Sequence, residues 1–287
     1  MRAPLAFASL LSLGLTGCVI VVADGADSAY VHGSTIRGTG TIATESRPVA
    51  EVNGLRIENR HRVEMEVDVR VGGAPALTVE ADNNLVPLVH TEVRGNTVRV
   101  WTDDELKGSR PIRVHFTVPQ LTELESTGSV RTEVQGLNGS SLHVSHTGSG
   151  RLELRGILNN LDLQHTGSGS LYADGLESRS AQVDMVGSGR VNIGSVRGEA
   201  LRVTSSGSGS FYARGIVRTL DVQVQGSGNA ELHDLRADIA TITSNGSGGV
   251  QAWVQQKVDA RGNGSGRIVV TGNPAERTVS GRHTIVQ

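Results

Sequence analysis

Apolar and polar residues alternate along the second half of the chain in a pattern that recurs every 18 to 20 residues. Each recurrence is centred on a Gly-Ser-Gly tripeptide, whose first glycine is Gly148, Gly167, Gly187, Gly207, Gly226, Gly246 or Gly264. Apolar residues stand six and four positions before that glycine, as at Leu142 and Val144, and four and six positions after it, as at Leu152 and Leu154. Alternation with a period of two on both sides of a glycine turn predicts two strands per repeat, each with one face turned inward.

A fifth apolar position comes nine residues after the glycine and predicts a short third segment. It is occupied by Ile157, Leu176, Val196, Ile216 and Leu235. A repeat of this length with internal alternation is typical of a β-solenoid, whose turns stack about 4.8 Å apart. Counting the degenerate Thr127-Gly128-Ser129 as one turn, the eight turns predict a rod about 40 Å long.

The Gly-Ser-Gly tripeptide is expected at a corner, because glycine accepts positive φ and the close approach of stacked backbones. Its serines are expected to hydrogen-bond in a ladder: Ser149, Ser168, Ser188, Ser208, Ser227, Ser247 and Ser265. A nucleophile elbow has a different spacing and one serine on a strand-to-helix turn, and a calcium-binding solenoid has an aspartate in every copy. We therefore interpret the tripeptide as structural.

The segment from 49 to 120, which precedes the repeats, also alternates with a period of two. Val67, Val69 and Val71 form one such run, and Val114 and Phe116 belong to another. The sequence predicts a β-rich N-terminal part over 49–120, followed by solenoid repeats and a C-terminal cap over 121–287.

The amino terminus predicts export. An apolar stretch, Leu5–Leu15, is too short to span a bilayer and ends in Leu-Thr-Gly-Cys, which resembles a bacterial lipobox. We expect residues 1–17 to be a signal peptide and Cys18, the only cysteine, to be lipidated; the alternative is an ordinary secretory signal. Residues 18–48 contain much Gly, Ser, Thr and Ala and predict a flexible tether.

Composition narrows the range of functions. The formal net charge is −2 and no basic stripe is visible, which argues against nucleic-acid binding. Aromatic residues make up only 3% of the chain, so the core is thin and repetitive. No motif indicates a cofactor.

Two sets of polar residues have the types that catalysis or metal binding would use. Five positions before the glycine stand His143, Asp162, Gln182, Arg202, Asp221, Thr241 and Asp259. Because the acids are separated by intervening rungs, we interpret this set as a solvated outer ladder rather than a pair of catalytic carboxylates. His146 and His165 share one phase on adjacent rungs; two histidines fall short of a zinc site, and we expect a polar stack at a corner. The sequence thus predicts no catalytic residue and no metal site.

Four residues form the best candidate for a binding face. Tyr172 and Tyr212 stand five positions after the glycine, Asn192 occupies that position on the rung between them, and Trp253 lies nearby in phase. A stripe of this kind could stack on sugar rings or contact a partner protein, although incidental surface aromatics are the alternative.

The chain resembles a known family over about 49–271. The resemblance rests on Val79-Glu80-Ala81-Asp82-Asn83-Asn84-Leu85, on Thr97–Val100, on Ile112–Leu121 with its Val-Pro ending, and on the Gly-Ser-Gly repeats in that order. These motifs are similar to those of the head GIN domain of auto-transporter adhesins, a domain of unknown function common in bacterial lipoproteins. The resemblance implies a right-handed parallel β-helix at the cell envelope and supplies no catalytic or binding residue.

Together these features predict a non-enzymatic, lipid-anchored binding or adhesion module of the bacterial cell envelope, expected at the outer membrane. Its expected partners are the membrane, through the lipid anchor, and a glycan or an envelope protein. The alternatives are a structural or assembly component and, third, a β-helical enzyme acting on polysaccharides. The sequence leaves the oligomeric state open.

Overall fold

The computed structural model describes residues 35–287, so the proposed signal peptide and Cys18 lie outside the described residues. Within that range no helix is long and apolar enough to cross a membrane. The only helix there is a 3₁₀ turn, Val86–Leu88. The nine strands that precede the repeats are β1 (Ile36–Arg37), β2 (Ile42–Arg47), β3 (Gly54–Asn59), β4 (Met65–Val71), β5 (Ala76–Asp82), β6 (Val89–Arg94), β7 (Thr97–Thr102), β8 (Leu106–Lys107) and β9 (Ile112–Val118).

The repeats and the C-terminal segment form long strands that bend at the corners of each turn. They are β10 (Glu123–Gly128), β11 (Val130–Gly148), β12 (Arg151–Gly167), β13 (Ser170–Gly187), β14 (Arg190–Gly207), β15 (Ser210–Gly226), β16 (Asn229–Gly246), β17 (Val250–Gly262), β18 (Ile268–Thr271), β19 (Glu276–Ser280) and β20 (Thr284–Val286). Consecutive strands from β10 to β18 pair in parallel, which gives a solenoid of about eight turns. The prediction of an all-β, right-handed parallel β-helix is confirmed.

The interior is built from columns, meaning residues that occupy equivalent places on stacked strands. Leu142, Leu161, Ala181, Leu201 and Leu220 form one column, and all five are buried. Each column places one apolar side chain about 4.8 Å from the next, so the core is continuous along the axis. A single turn has no such neighbours, which is why the turns are stable only as a stack.

The Gly-Ser-Gly corner is held by main-chain atoms. The carbonyl oxygen of Gly148 accepts hydrogen bonds from the amides of Ser168 and Gly169, at 3.0 and 2.9 Å, and the same arrangement recurs up the stack. Gly167 has φ +122°, and a Cβ there would lie 2.4 Å from the Gly148 oxygen. The predicted ladder of serine hydroxyls is mostly wrong: among the described residues, hydroxyl pairs form only at Ser129 with Ser149 and at Ser247 with Ser265.

The fifth apolar position was misassigned in two turns. The side chains of Ile157 and Ile216 point outward and are 64% and 58% exposed. Each isoleucine directly follows a glycine with positive φ, Gly156 or Gly215. The glycine rotates the backbone, so the isoleucine points outward and the residue after it enters the core. Leu158 and Val217 are therefore buried in these turns, whereas Leu176, Val196 and Leu235 are buried as expected.

The N-terminal strands extend and close the first end of the solenoid. β3 pairs in parallel with β10 and β7, and β4 pairs in parallel with β11 and β9. β5 runs antiparallel to β9, and β6 antiparallel to β7. This change of direction ends the parallel ladder, and the core continues into it through Phe116, which is fully buried.

The tether predicted for 18–48 is wrong over its last part. β1 pairs with β8, and β2 pairs antiparallel with β5. Polar side chains order this segment: the Asp82 carboxylate accepts hydrogen bonds from the amides of Gly40 and Ser109, and Asn84 bonds the Thr39 amide and the Arg37 carbonyl. Hydrophobic alternation carries no sign of such polar contacts.

Arg277 lies over the last turn of the solenoid. It is in register with Val258, in the column of Leu142, but it is exposed. Its guanidinium donates hydrogen bonds to the carbonyls of Pro274 and Val286 and to the side chain of Asn273. A polar side chain thus takes the place that apolar residues fill in the inner turns.

Candidate functional site: outward columns

The structure brings three of the four predicted binding residues into one outward column. Tyr172 on β13, Asn192 on β14 and Tyr212 on β15 are direct register partners, and all three are half-buried. We call these three residues the aromatic column. It is flanked by Glu153 on β12 and Glu231 on β16, so a carboxylate stands at each end.

The two tyrosines are held by charged neighbours. The Arg151 guanidinium lies 4.3 Å from the ring centre of Tyr172, a cation–π contact. The Tyr212 hydroxyl donates a 2.8 Å hydrogen bond to Asp234, and this bond raises the pKa of the phenol. Because its hydroxyl is already bound, Tyr212 offers a ligand mainly its ring and keeps a fixed orientation.

Tyr212 also separates two surface hollows. One, of about 480 Å³, contains Arg190, Asn192 and Glu231; the other, of about 710 Å³, contains Asp174, Glu177, Arg197, Arg214 and Asp234. Charges of both signs line the larger hollow. Such a surface suits a ligand with both apolar and polar groups better than a purely apolar one.

Trp253 lies on the same side of the solenoid but in a neighbouring column. Its register partners are Arg236 on β16 and Thr271 on β18, and the Arg236 guanidinium stands 5.3 Å from its ring centre. Gln251, two residues earlier on β17, continues the column of Tyr212. Trp253 therefore flanks the aromatic column rather than extending it.

In the outer ladder that begins at His143, two pairs of side chains contact each other between rungs. His143 Nδ1 and Asp162 lie 2.9 Å apart, and Arg202 and Asp221 lie 3.4 Å apart. Three strand spacings, about 14 Å, separate Asp162 from Asp221. Asp221 and Asp259 lie closer, two strand spacings or about 10 Å apart, which is the limit for the two carboxyl groups of a glycosidase. Each of these two carboxylates is paired with an arginine, Asp221 with Arg202 and Asp259 with Arg261.

His146 and His165 face the interior, which corrects their predicted place in a polar stack at a corner. Both are 1% exposed, their Nδ1 atoms are 3.0 Å apart, and their rings stack with centres 5.0 Å apart. Burial, with repulsion from His165, lowers the pKa of His146 to about 4, and burial also lowers the pKa of His165. Both rings are therefore neutral near pH 7.

This column is a sixth interior position that the sequence analysis missed. Its members are Ser126, His146, His165, Met185, Ser205, Val224 and Ser244, and all are buried. In the sequence, the apolar residues Met185 and Val224 at the same position of their repeats could have indicated that this position faces the interior. Among the described residues, no group of three or more potential ligands could hold a metal ion.

Comparison with known proteins agrees with this architecture. Crystal structures with the same fold include one titled a putative lipid binding protein from Parabacteroides distasonis ATCC 8503, which has 21% sequence identity and a TM-score of 0.72 and covers 83% of this chain and 99% of its own. Another is titled a putative adhesin from Parabacteroides merdae ATCC 43184, with 17% identity, a TM-score of 0.69 and coverage of 82% and 98%. A third, titled a putative adhesin from Bacteroides fragilis NCTC 9343, has 18% identity, a TM-score of 0.61 and coverage of 82% and 99%.

These identities are low, so the three structures establish the fold alone. Among curated proteins, none shows a significant match to the chain. The family signature described as "Putative auto-transporter adhesin, head GIN domain" matches twice, over residues 57–179 and 173–274. The two matches span both the N-terminal strands and the repeats, and the chain therefore belongs to the head GIN domain family of auto-transporter adhesins.

Proposed function

We propose that this protein is a non-enzymatic, lipid-anchored binding or adhesion module of the bacterial cell envelope. It contacts a glycan or an envelope protein through the aromatic column, with Trp253 at its flank. The observation that carries the proposal is the position of Tyr212, which stands between two hollows with its ring held by Asp234. A fixed aromatic ring binds with little loss of side-chain entropy.

The outward charges support a binding role over catalysis. Asp162 and Asp221 are each paired with a basic side chain and are far apart, and the family is described as adhesive. Two of the structural neighbours are also named as putative adhesins. We therefore expect the protein to cleave no polysaccharide in a test panel. Release of reducing ends or unsaturated products would contradict this part of the proposal.

The binding face is tested with the double substitution Tyr172→Ala and Tyr212→Ala. Retention of the purified soluble domain on immobilised glycans and envelope extracts should fall about tenfold, because two ring contacts of about 0.5–1.5 kcal/mol are lost. The matched control is Gln164→Ala with Gln223→Ala, two exposed outward residues on the sheet face between the His143 ladder and the glycine corner. Equal retention of both double variants would contradict the proposed face.

The anchor is tested separately. Cys18→Ser removes the thiol that would carry the lipid and should move the protein from the membrane fraction to the soluble envelope fraction. Metabolic labelling with a fatty acid should disappear in the same variant. A labelled, membrane-bound Cys18→Ser protein would contradict the anchor, and fractionation of inner and outer membranes tests the proposed outer-membrane location.

A further inference from the structure

A groove of about 830 Å³ runs along the solenoid on a side that shares no lining residue with the hollows beside Tyr212. It follows a corner at which five consecutive turns carry a small or mid-sized residue. These floor residues are register partners on consecutive strands: Ser141, Asn160, Ser180, Ala200 and Thr219. The column continues with the bulkier Ile239 and then Lys257, and of these two only Ile239 borders the groove.

The groove is long and narrow. It extends from Thr122, beside β10, to Thr241 on β16, and so crosses seven stacked rungs. The six spacings between these seven rungs, at about 4.8 Å each, give a length of about 29 Å. A site of this length fits an extended polymer better than a compact small molecule.

The lining combines apolar surface with polar side chains and contains few charged residues. One wall is the ladder that begins at His143, in which Asp162 is paired with His143 and Asp221 with Arg202. Between these pairs the groove presents hydroxyl and amide groups, including Ser180, Gln182 and Thr219. It therefore offers hydrogen-bonding side chains at each rung, and its only Asp, Glu, Arg or Lys residues are Asp162, Arg202 and Asp221.

Two classes of polymer do not fit this groove. A polyanion is captured by an excess of Arg and Lys, and the only such residue in the lining is Arg202, which is paired. An extended peptide binds by adding a strand to an open sheet edge. The floor strands β12 to β15 are hydrogen-bonded on both sides, so they offer no edge.

We propose that this groove binds a linear, uncharged glycan laid along the solenoid axis. The sugar hydroxyls bond the side-chain hydroxyls and amides of successive rungs. Because no Phe, Tyr or Trp ring lines the groove, each sugar contributes little and binding strengthens with chain length. The inference does not depend on the aromatic column, which lies on a different side of each turn.

The test is titration calorimetry of the soluble domain with neutral β-glucan and β-mannan oligosaccharides of two and six sugars. We expect the hexasaccharide to bind at least about tenfold more tightly than the disaccharide, and an oligogalacturonate of equal length to bind at least about tenfold more weakly. Ser180→Arg fills the floor and should abolish binding. Ser206→Arg, the same substitution at a similarly half-buried position outside the groove, should retain it.

Thr219→Arg is a second blocking variant at an exposed position, for use if Ser180→Arg fails to fold. Gln223→Ala, at an exposed position outside both the groove and the aromatic column, should leave glycan binding in the groove unchanged. Absence of binding by every neutral glycan, equal affinity for two and six sugars, or binding that survives both blocking variants would overturn the proposal. Loss of binding in Tyr212→Ala but not in Thr219→Arg would transfer the activity to the aromatic column and overturn it as well.

Discussion

The N-terminal strands and the solenoid are held in place by different kinds of hydrogen bond. In the solenoid each corner is fixed by repeated main-chain hydrogen bonds between glycines, as between Gly148 and Gly169. In the N-terminal part the order depends on single side chains, such as Asp82 with Ser109 and Glu58 with Arg99. The solenoid therefore tolerates change at outward positions but not at its corners, whereas the N-terminal part is sensitive at a few polar residues.

The largest expected effect is at a solenoid corner. Gly187→Ala places a Cβ 2.4 Å from the Gly167 carbonyl oxygen at φ +118°, so the corner must open. We expect a loss of about 3 kcal/mol or more in the free energy of unfolding, measured by urea denaturation. The control is Gly72→Ala, at φ +105° with nothing within 4 Å, which should lose only about 1–2 kcal/mol. Equal losses would show that contact at the corner adds nothing to backbone strain.

The second effect concerns acid and the buried histidine pair. His146 has a pKa of about 4 in the folded protein, below the value of about 6.5 expected in the unfolded chain. The unfolded state thus binds more protons between these values, so the stability from this group is complete above pH 6.5 and is lost as the pH falls towards 4. Over that window the loss is about 3 kcal/mol.

The comparison for this effect is the double substitution His146→Met and His165→Met, which copies Met185 on the next rung. Urea unfolding at several pH values should show a flatter dependence between pH 6.5 and 4 than in the parent protein. The same slope in both proteins would mean that other groups cause the acid sensitivity.

A local effect is expected in the N-terminal part. Asp82→Ala removes the acceptor of the Gly40 and Ser109 amides, and hydrogen exchange should accelerate in residues 36–47 while β13 to β15 remain protected. The pKa of Asp82 is lowered by its bond to Ser109, so lowering the pH through its folded value should weaken the same segment. Asp104→Ala, at an exposed site, is the control, and similar exchange in the two variants would contradict the role of Asp82.

The smallest effect distinguishes two neighbouring residues. Ile157→Ala should change stability by about 0.5 kcal/mol or less because the side chain is exposed, whereas Leu158→Ala should cost about 2–5 kcal/mol. Thermal or urea unfolding of the two variants compares them directly. A larger loss of stability in Ile157→Ala than in Leu158→Ala would mean that Ile157 is the inward residue, as the sequence predicts.

The solenoid was predictable because its signal is repeated: seven glycines and their flanking apolar pairs fix the strands, the inward face and the register. Single events were not predictable in the same way. The positive φ of Gly156 and Gly215 shifts one residue outward in two turns, and the polar contacts of Asp82 and Asn84 order a segment that lacks alternation.

The candidate surfaces show the same division. The alignment of Tyr172, Asn192 and Tyr212 follows from the repeat and was visible in the sequence. The bond from Tyr212 to Asp234, 22 residues away, was not visible in the sequence, because it depends on a register shift between β15 and β16 just after Tyr212. The groove was also missed, because small residues at a corner have no signature until the adjoining sheet faces are seen to meet there.

The stacked glycine corner also makes the protein modular in length. The main chain of each turn pairs with its two neighbours, so a duplicated repeat of 20 residues inserted between β14 and β15 would meet the same carbonyls and amides that it displaces. Such an insertion would lengthen the rod by about 4.8 Å and add one rung to the groove. Duplication or loss of one repeat is thus a simple route by which homologous chains acquire rods of different length.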